Sequence, residues 1–229
     1  GENVKKSNLK RLGALPQVCE PIGEIDDHLE SLSGAEGDPT HLYLSGLKVL
    51  QSVLERVGAG LSPLNDELCM IAHRVMAGPV SRLESVLGLL AGSLGREHAS
   101  SLHMARALSQ STLSDDSRAE VMTMHHLGLM AIASEDPLRA SFLFEKAAEQ
   151  SSFSNKTRLT NLVAAGISRH LVGEDEVAKS LISGASKIVA KDKESAIDPL
   201  LDLARSLMGI DRPWLALEVF DEALECAVE

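Results

Sequence analysis

Eight histidines are the side chains of this sequence best suited to bind a metal ion or to transfer protons. His125 and His126 are adjacent, so on a helix they point about 100° apart and cannot easily share one ion. His98 and His103 are five residues apart, whereas a helical metal site uses a spacing of four. We therefore expect no metal, no cofactor and no catalytic histidine, and we interpret these side chains as hydrogen-bonded or solvent-facing groups.

Other signatures of catalysis are missing from the sequence. It contains no Gly-rich phosphate loop, no nucleophile elbow and no zincin-type helix. Cys19, Cys69 and Cys226 lie far apart and lack the paired spacing of metal or redox sites. We expect reduced thiols, a cytoplasmic or other reducing intracellular location, and a protein that is not an enzyme.

Composition narrows the fold class and the partners. The 229 residues are 44% hydrophobic but only 3% aromatic, and alternating runs of Val, Ile and Thr are missing. We therefore predict an all-α protein with a core of Leu and Ala. No apolar run reaches the roughly 20 residues that span a bilayer, so we expect no membrane insertion. A formal net charge of −11 disfavours direct binding to nucleic acid, which needs a basic surface.

A spaced set of small and large apolar residues recurs through the second half of the chain. Gly128 is followed at offsets of 12, 16 and 19 by Ala140, Phe144 and Ala147. A fixed period of 38 to 40 residues predicts stacked pairs of helices. The other copies are Gly88 with Ser100, Met104 and Ala107, Gly166 with Ala178, Ile182 and Ala185, and Ala204 with Ala216, Phe220 and Ala223.

The offsets within each copy predict how the two helices of a pair meet. A small residue on the first helix lets the second helix lie close, and we expect the small residue 12 positions later to face it. The later members continue one face at helical spacing. Turn sequences at 134–137, 173–175 and 209–213 separate paired helices. The predicted helices are 41–57, 64–77, 79–94, 97–110, 117–134, 137–151, 157–172, 175–190, 195–208 and 212–227.

These patterns divide the chain into three regions. Residues 1–40 mix basic, acidic and Pro/Gly-rich stretches and predict an N-terminal arm with a short helix near 22–32. Residues 41–78 predict a degenerate or capping helix pair, because the linker inside this pair is longer than the later turns. Residues 79–229 hold the repeats.

The final predicted helix has no polar capping helix after it, although terminal repeats usually need one. Trp214, Leu217 and Leu224 on this helix would leave an apolar surface uncovered. We expect either further protein beyond one or both ends of the sequence or self-association through this helix.

The repeated residues resemble those of the tetratricopeptide repeat family over about residues 81–227, in four units. The family has a small residue at its eighth position, as at Gly128, and Ala, a large apolar residue and Ala at later fixed positions. This chain departs from the family at the fourth position, where the usual aromatic residue is replaced by Glu84, Met124, Leu162 and Leu200. The resemblance implies a right-handed superhelical array of antiparallel helix pairs, an α-solenoid.

The resemblance also implies a concave groove lined by the first helix of each unit. In this chain the groove would be largely apolar, with His125 and His170 as a possible polar pair. Two alternatives stay open: these residues are buried between neighbouring helices, or the N-terminal arm fills the groove. The predicted groove residues are Arg82, Leu89, Met122, His125, Leu129, Ile132, Val163, Ile167, His170, Leu201, Arg205 and Met208.

An apolar groove suits a peptide or an amphipathic helix with apolar anchors. The sequence therefore predicts a non-enzymatic protein–protein interaction module, a scaffold or adaptor whose partner is another protein. The alternative is a sensory or regulatory repeat domain of a signalling or transcription-control protein, with its effector domain outside this chain.

Overall fold

The chain is helical throughout the part that its computed structural model describes, which comprises residues 16–32, 37–61, 66–114, 116–189, 194–209, 213–215 and 219. No strand occurs within these residues, and the predicted all-α class is confirmed. In the described ranges, no helix is long and apolar enough to cross a membrane. The helices are α1 Pro16–Leu32, α2 Pro39–Leu61, α3 Asp66–Ser93, α4 Glu97–Leu113, α5 Ser117–Ala133, α6 Pro137–Gln150, α7 Asn155–Leu171, α8 Asp175–Val189 and α9 Glu194–Gly209.

The chain divides into two compact units, Gly1–Glu120 and Val121–Glu229. In the first unit, α3 packs against α2 and α4, and α1 packs against both α2 and α3. Its core is a cluster of aliphatic residues from α1, α2 and α3, in which Ile25, Val53, Leu83 and Leu87 are fully buried. The arm predicted at residues 1–40 therefore contributes a helix to a core.

In the second unit, α7 is the central helix, because α6, α8 and α9 all pack against it. Phe144 of α6 and Leu159 of α7 are among its largest buried side chains. The last helix predicted, 212–227, lies mostly outside the described residues, as do Leu217 and Leu224. Trp214 is described and is half exposed.

The close approach predicted within the repeats is present in three copies, but the side chain that meets the glycine is the large residue 16 positions later and not the small one 12 positions later. A Cβ added to Gly128 would come within 2.6 Å of the Phe144 ring, 16 residues later. At Gly166 it would meet Ile182, and at Gly88 it would meet Met104, again 16 residues later. Each glycine thus makes room for the large residue of its partner helix. In the fourth copy, the partners of Ala204 lie outside the described residues.

The predicted turns at 134–137 and 173–175 form where the sequence places them, and the one at 209–213 lies mostly outside the described residues. Asp136 caps α6, since its side chain accepts a hydrogen bond from the Arg139 amide at 3.1 Å and Pro137 follows at the first helical position. The residues before the second helices have positive φ: Gly95 at 68°, Glu135 at 59° and Gly173 at 78°. Two of these positions carry glycine, the residue that adopts this conformation at least cost.

One prediction about the helices is wrong. The helices predicted at 64–77 and 79–94 form a single helix, α3, which continues through Pro79. Proline removes one helical hydrogen bond, but Ala77, Pro79 and Val80 are all buried here, and their packing holds the backbone helical. The boundary placed after residue 78 therefore lies inside a helix.

Candidate functional site

One cavity of the second unit is a trough of about 580 Å³ between α7, α8 and α9. Its walls are mostly aliphatic, and polar side chains occur at one end. The lining residues are Leu159, Val163, Gly166, Ile167, His170, Asp175, Ala178, Lys179, Ile182, Ala185, Val189, Leu200 and Val219.

The trough follows from the repeat pattern of this pair of helices. Gly166 on α7 and Ala178 and Ala185 on α8 are the small members of the third copy, and all three lie on the trough walls. The space beside Gly166 is taken by Ile182, and the short side chains of Ala178 and Ala185 extend little into the trough. Ile167 and Ile182 remain half-buried at its sides, so the space is bordered by aliphatic groups that a ligand could contact.

The lining residues of the trough extend along α8. They run from Asp175 to Val189, which at 1.5 Å per residue is about 20 Å. This length accommodates successive side chains from one face of a helix.

The polar end of the trough contains one histidine–carboxylate hydrogen bond and one lysine–carboxylate ion pair. His170 Nδ1 lies 2.8 Å from Asp175 Oδ1, and Lys179 Nζ lies 2.9 Å from Glu176 Oε1. All four side chains are exposed. Because exposed pairs of this kind exchange readily with water, these groups can reorient towards a bound segment.

The structure brings three of the twelve predicted groove residues to this trough: Val163, Ile167 and His170. Ile132 instead borders a smaller cavity of about 330 Å³, which also touches Leu171 and Trp214. On α9, Leu201 is half-buried, Met208 is exposed, and Arg205 pairs with Asp202 at 2.8 Å. These three do not line the trough.

Two predicted groove residues on α5 belong to the interior. Leu129 is fully buried, so it takes the alternative position between neighbouring helices. His125 donates from Nδ1 to Asn161 Oδ1 at 3.0 Å, and its ring lies edge-on to Phe144. Burial lowers the pKa of His125, and the bond to Asn161 opposes this in part. Met122, on the same helix, is half-buried.

The two predicted groove residues of the first unit are partly buried or already paired with other side chains. Leu89 is half-buried. Arg82 donates to Asp26 Oδ1 of α1 at 2.7 Å, and its Nε lies 4.0 Å from Asp116 Oδ2. Its guanidinium is therefore engaged within the unit. Most of the arm that the sequence suggested as an internal occupant lies outside the described residues.

A buried polar network in the first unit was not foreseen. His103 of α4 has Nδ1 2.5 Å from Glu84 Oε2 of α3 and Nε2 3.1 Å from the Tyr43 hydroxyl of α2. All three side chains are buried, so a substrate has no access to them. The contacts span 19 and 60 residues, and the only sequence signal was a glutamate between Leu83 and Leu87 on the apolar face of α3.

Among the described residues, no group of three or more His, Cys, Asp or Glu side chains could hold a metal ion. His125 and His126 have ring centroids 5.9 Å apart, and His125 is committed to Asn161. The trough is therefore the arrangement best formed for recognition.

Comparison with known proteins gave no family model, no curated protein and no solved structure that matches this chain.

Proposed function

We propose that this chain is a protein–protein interaction module whose second unit binds an amphipathic helix of another protein along the trough between α7, α8 and α9. The single observation that carries this proposal is the aliphatic trough of about 580 Å³, whose lining residues run for about 20 Å along α8. Aliphatic residues at positions i, i+4 and i+7 of a helix span about 10 Å along one face, which this length accommodates. We further propose that the helix pairs stack as a right-handed superhelical array of the tetratricopeptide type.

Affinity in this account comes from apolar burial, and orientation comes from the polar end. Transfer of three aliphatic side chains from water into the trough provides on the order of 5 kcal/mol before the entropy of association is subtracted. His170, Asp175 and Lys179, at one end only, give the bound helix a preferred direction. The proposal thus predicts a partner with aliphatic anchors and a polar group beyond one end of the anchor row.

The test uses a displayed library of amphipathic helices with aliphatic residues fixed at i, i+4 and i+7, selected on the full chain. Ile167→Glu places a charge inside the trough, so selected helices should bind this variant at least tenfold more weakly. Val177→Glu is the matched control, because Val177 is an exposed residue of α8 outside the trough. Leu129→Glu is unsuitable, since a charge at this fully buried position would disrupt folding.

Selection of helices that bind wild type, Ile167→Glu and Val177→Glu equally would contradict the proposal. Failure to select any helix would contradict it as well. Circular dichroism of the variants shows that each remains folded during the comparison.

A second candidate function is favoured by the volume of the trough, which lies within the range of small-molecule pockets. We propose as the alternative a sensory or regulatory domain that holds a linear apolar ligand in this trough. Native mass spectrometry of the purified chain would then show an added mass. Ala178→Phe, which fills the trough, should remove that mass, and the unmodified mass in wild type would exclude a tightly held ligand.

A further inference from the structure

Helix α1 occupies a surface of the first unit in the way a bound peptide would. Ile25 is fully buried in the cluster formed by α2 and α3, and Ile22 and Leu29 pack at its edges. Glu24 and Asp26 lie on either side of Ile25 along the helix, about 100° away in each direction. The helix therefore presents one aliphatic anchor with a carboxylate on each flank.

The surface beneath α1 has matching groups on both walls. Arg56 of α2 donates to Glu24 Oε1 at 2.5 Å, and Arg82 of α3 donates to Asp26 Oδ1 at 2.7 Å. The chain as a whole carries a net charge of −11, yet this surface offers a guanidinium on each side of an apolar seat. The charge pattern selects an acidic helix in a protein that otherwise repels one.

Several features make α1 a weak occupant of this seat. Its two ion pairs are partly exposed to solvent, which reduces their strength. His28 Nε2 is buried at the interface without a hydrogen-bond partner. Pro21 removes a backbone hydrogen bond from the helix interior. The first turn has no acidic side chain and the last turn has no basic one, so no charge stabilises the helix dipole at either end. The helix is thus poorly stabilised outside the seat.

We infer that the surface formed by α2 and α3 around Arg56 and Arg82 is a second binding site, specific for an acidic amphipathic helix with an aliphatic residue between two carboxylates, and that α1 is its releasable occupant. This site goes beyond the trough of the second unit and does not depend on it. A partner helix with the same pattern gains access when α1 leaves the seat. The free energy needed to release α1 therefore lowers the affinity of the site for that partner.

Native-state hydrogen exchange on the wild-type chain tests whether α1 is releasable. Amides of α1 should exchange at least about tenfold faster than those of the buried part of α3, through an opening that leaves α3 protected. Exchange of α1 and α3 together, at the rate of global unfolding, would overturn the inference. This experiment needs no variant and so does not depend on the folding of one.

Binding in trans tests the specificity of the site. The probe is a fluorescein-labelled peptide of residues 16–32 with Cys19→Ser, added to the full chain carrying Ile25→Asp, which weakens α1 in its seat. Saturable binding is expected for Ile25→Asp, and at least tenfold weaker binding for wild type and for Leu54→Asp. Leu54 is the matched control, because it is an exposed leucine of α2.

A charge reversal on both partners distinguishes specific recognition of the carboxylates from nonspecific binding. Arg82→Glu in the Ile25→Asp chain should reduce binding of the original peptide at least tenfold, and a peptide with Asp26→Arg should restore it. A folded Ile25→Asp chain that fails to bind the peptide would overturn the inference. So would loss of the fold in Ile25→Asp, because α1 would then be an integral part of the core.

Discussion

Glu135 is a single residue that holds the chain in a strained backbone conformation. Its φ is 59°, at a turn position where the neighbouring repeats carry Gly95 and Gly173. A side chain in this region costs about 1 kcal/mol relative to glycine. Glu135→Gly is therefore expected to raise the free energy of unfolding by up to about 1 kcal/mol.

Urea denaturation measures this change, and Ser134→Gly is its control. Ser134 adjoins Glu135 but lacks positive φ, so glycine there should lower the stability slightly. Equal destabilisation by both substitutions would show that the backbone of Glu135 is not strained.

His125 makes the stability of the chain depend on pH. Its pKa is lowered by burial from the ordinary value of 6.5, and the pKa of His28 is lowered for the same reason. A lowered pKa means that the fold favours the neutral ring. This stabilisation is complete above about pH 6.5 and is lost as the pH falls through 6.5 towards the lower pKa of the folded state.

We expect the free energy of unfolding to fall between about pH 7.5 and about pH 5.5, and to fall less in His125→Gln. Glutamine can still donate to Asn161 and does not titrate. His98→Gln, at an exposed position, is the control and should retain the fall seen in wild type. An identical pH dependence in wild type and His125→Gln would refute a role for this histidine.

At the scale of helices, the repeat glycines determine how closely paired helices pack. Gly128→Ala forces the buried Phe144 ring to move, so we expect a loss of about 1–3 kcal/mol in unfolding free energy. Gly58, within α2, has nothing within 4 Å of an added Cβ. Gly58→Ala should instead stabilise the chain by about 0.5–1 kcal/mol. Thermal denaturation of the Gly128→Ala and Gly58→Ala variants measures both changes in stability. A change of the same sign in both variants would contradict the packing argument.

The network of Tyr43, His103 and Glu84 joins α2, α3 and α4. Tyr43→Phe leaves the buried His103 Nε2 without its partner, and we expect this to cost about 1–3 kcal/mol in unfolding free energy. Leu44→Ala is the control, because Leu44 is the exposed neighbour on the same helix and should change stability by less than about 1 kcal/mol. A loss no larger than that of the control would show that this hydrogen bond does not stabilise the unit.

Whether the sequence predicts a feature depends on how far apart in the chain the interacting residues lie. The turn at Asp136 and the close approach of the paired helices at Gly128 depend on residues within about one helix pair, and both were predicted. The residue that Gly128 meets is Phe144 and not Ala140 as predicted, because the relative rotation of the two helices decides which residue faces the glycine. The continuation of α3 through Pro79 depends on burial from several sides, which overrides a local breaking signal. The contacts of Tyr43 with His103 and of Asp26 with Arg82 join residues 60 and 56 positions apart, and no local pattern indicates them.

The candidate site shows the same division. Val163, Ile167 and His170 share one face of α7, so helical periodicity was enough to group them. The same periodicity placed Leu129 in the groove, but a stripe of apolar residues looks alike whether it is open or covered. The position of neighbouring helices decides between these outcomes, and only the three-dimensional structure supplies it.

For the molecule as a whole, we propose two recognition surfaces, one in each unit. The trough of the second unit is apolar with a polar end, whereas the seat of the first unit pairs an apolar centre with Arg56 and Arg82. Salt should therefore affect them differently, since screening weakens charge pairs more than apolar burial. An increase from about 0.1 M to about 1 M salt is expected to weaken peptide binding at the seat and to leave binding at the trough nearly unchanged.

Two titrations at both salt concentrations check this difference. One adds the peptide of residues 16–32 to the Ile25→Asp chain, and the other adds a selected amphipathic helix to the wild-type chain. Comparable weakening at both sites would contradict the assignment of apolar burial to the trough.

The central claim is that the trough binds an amphipathic helix, and methyl NMR of the full chain with a selected helix tests it most directly. We expect saturable chemical-shift changes of the methyl groups of Val163, Ile167, Ile182 and Val189, with those of Ile25 unchanged. Shifts confined to other methyl groups, or no shifts at concentrations where the helix is bound, would contradict it.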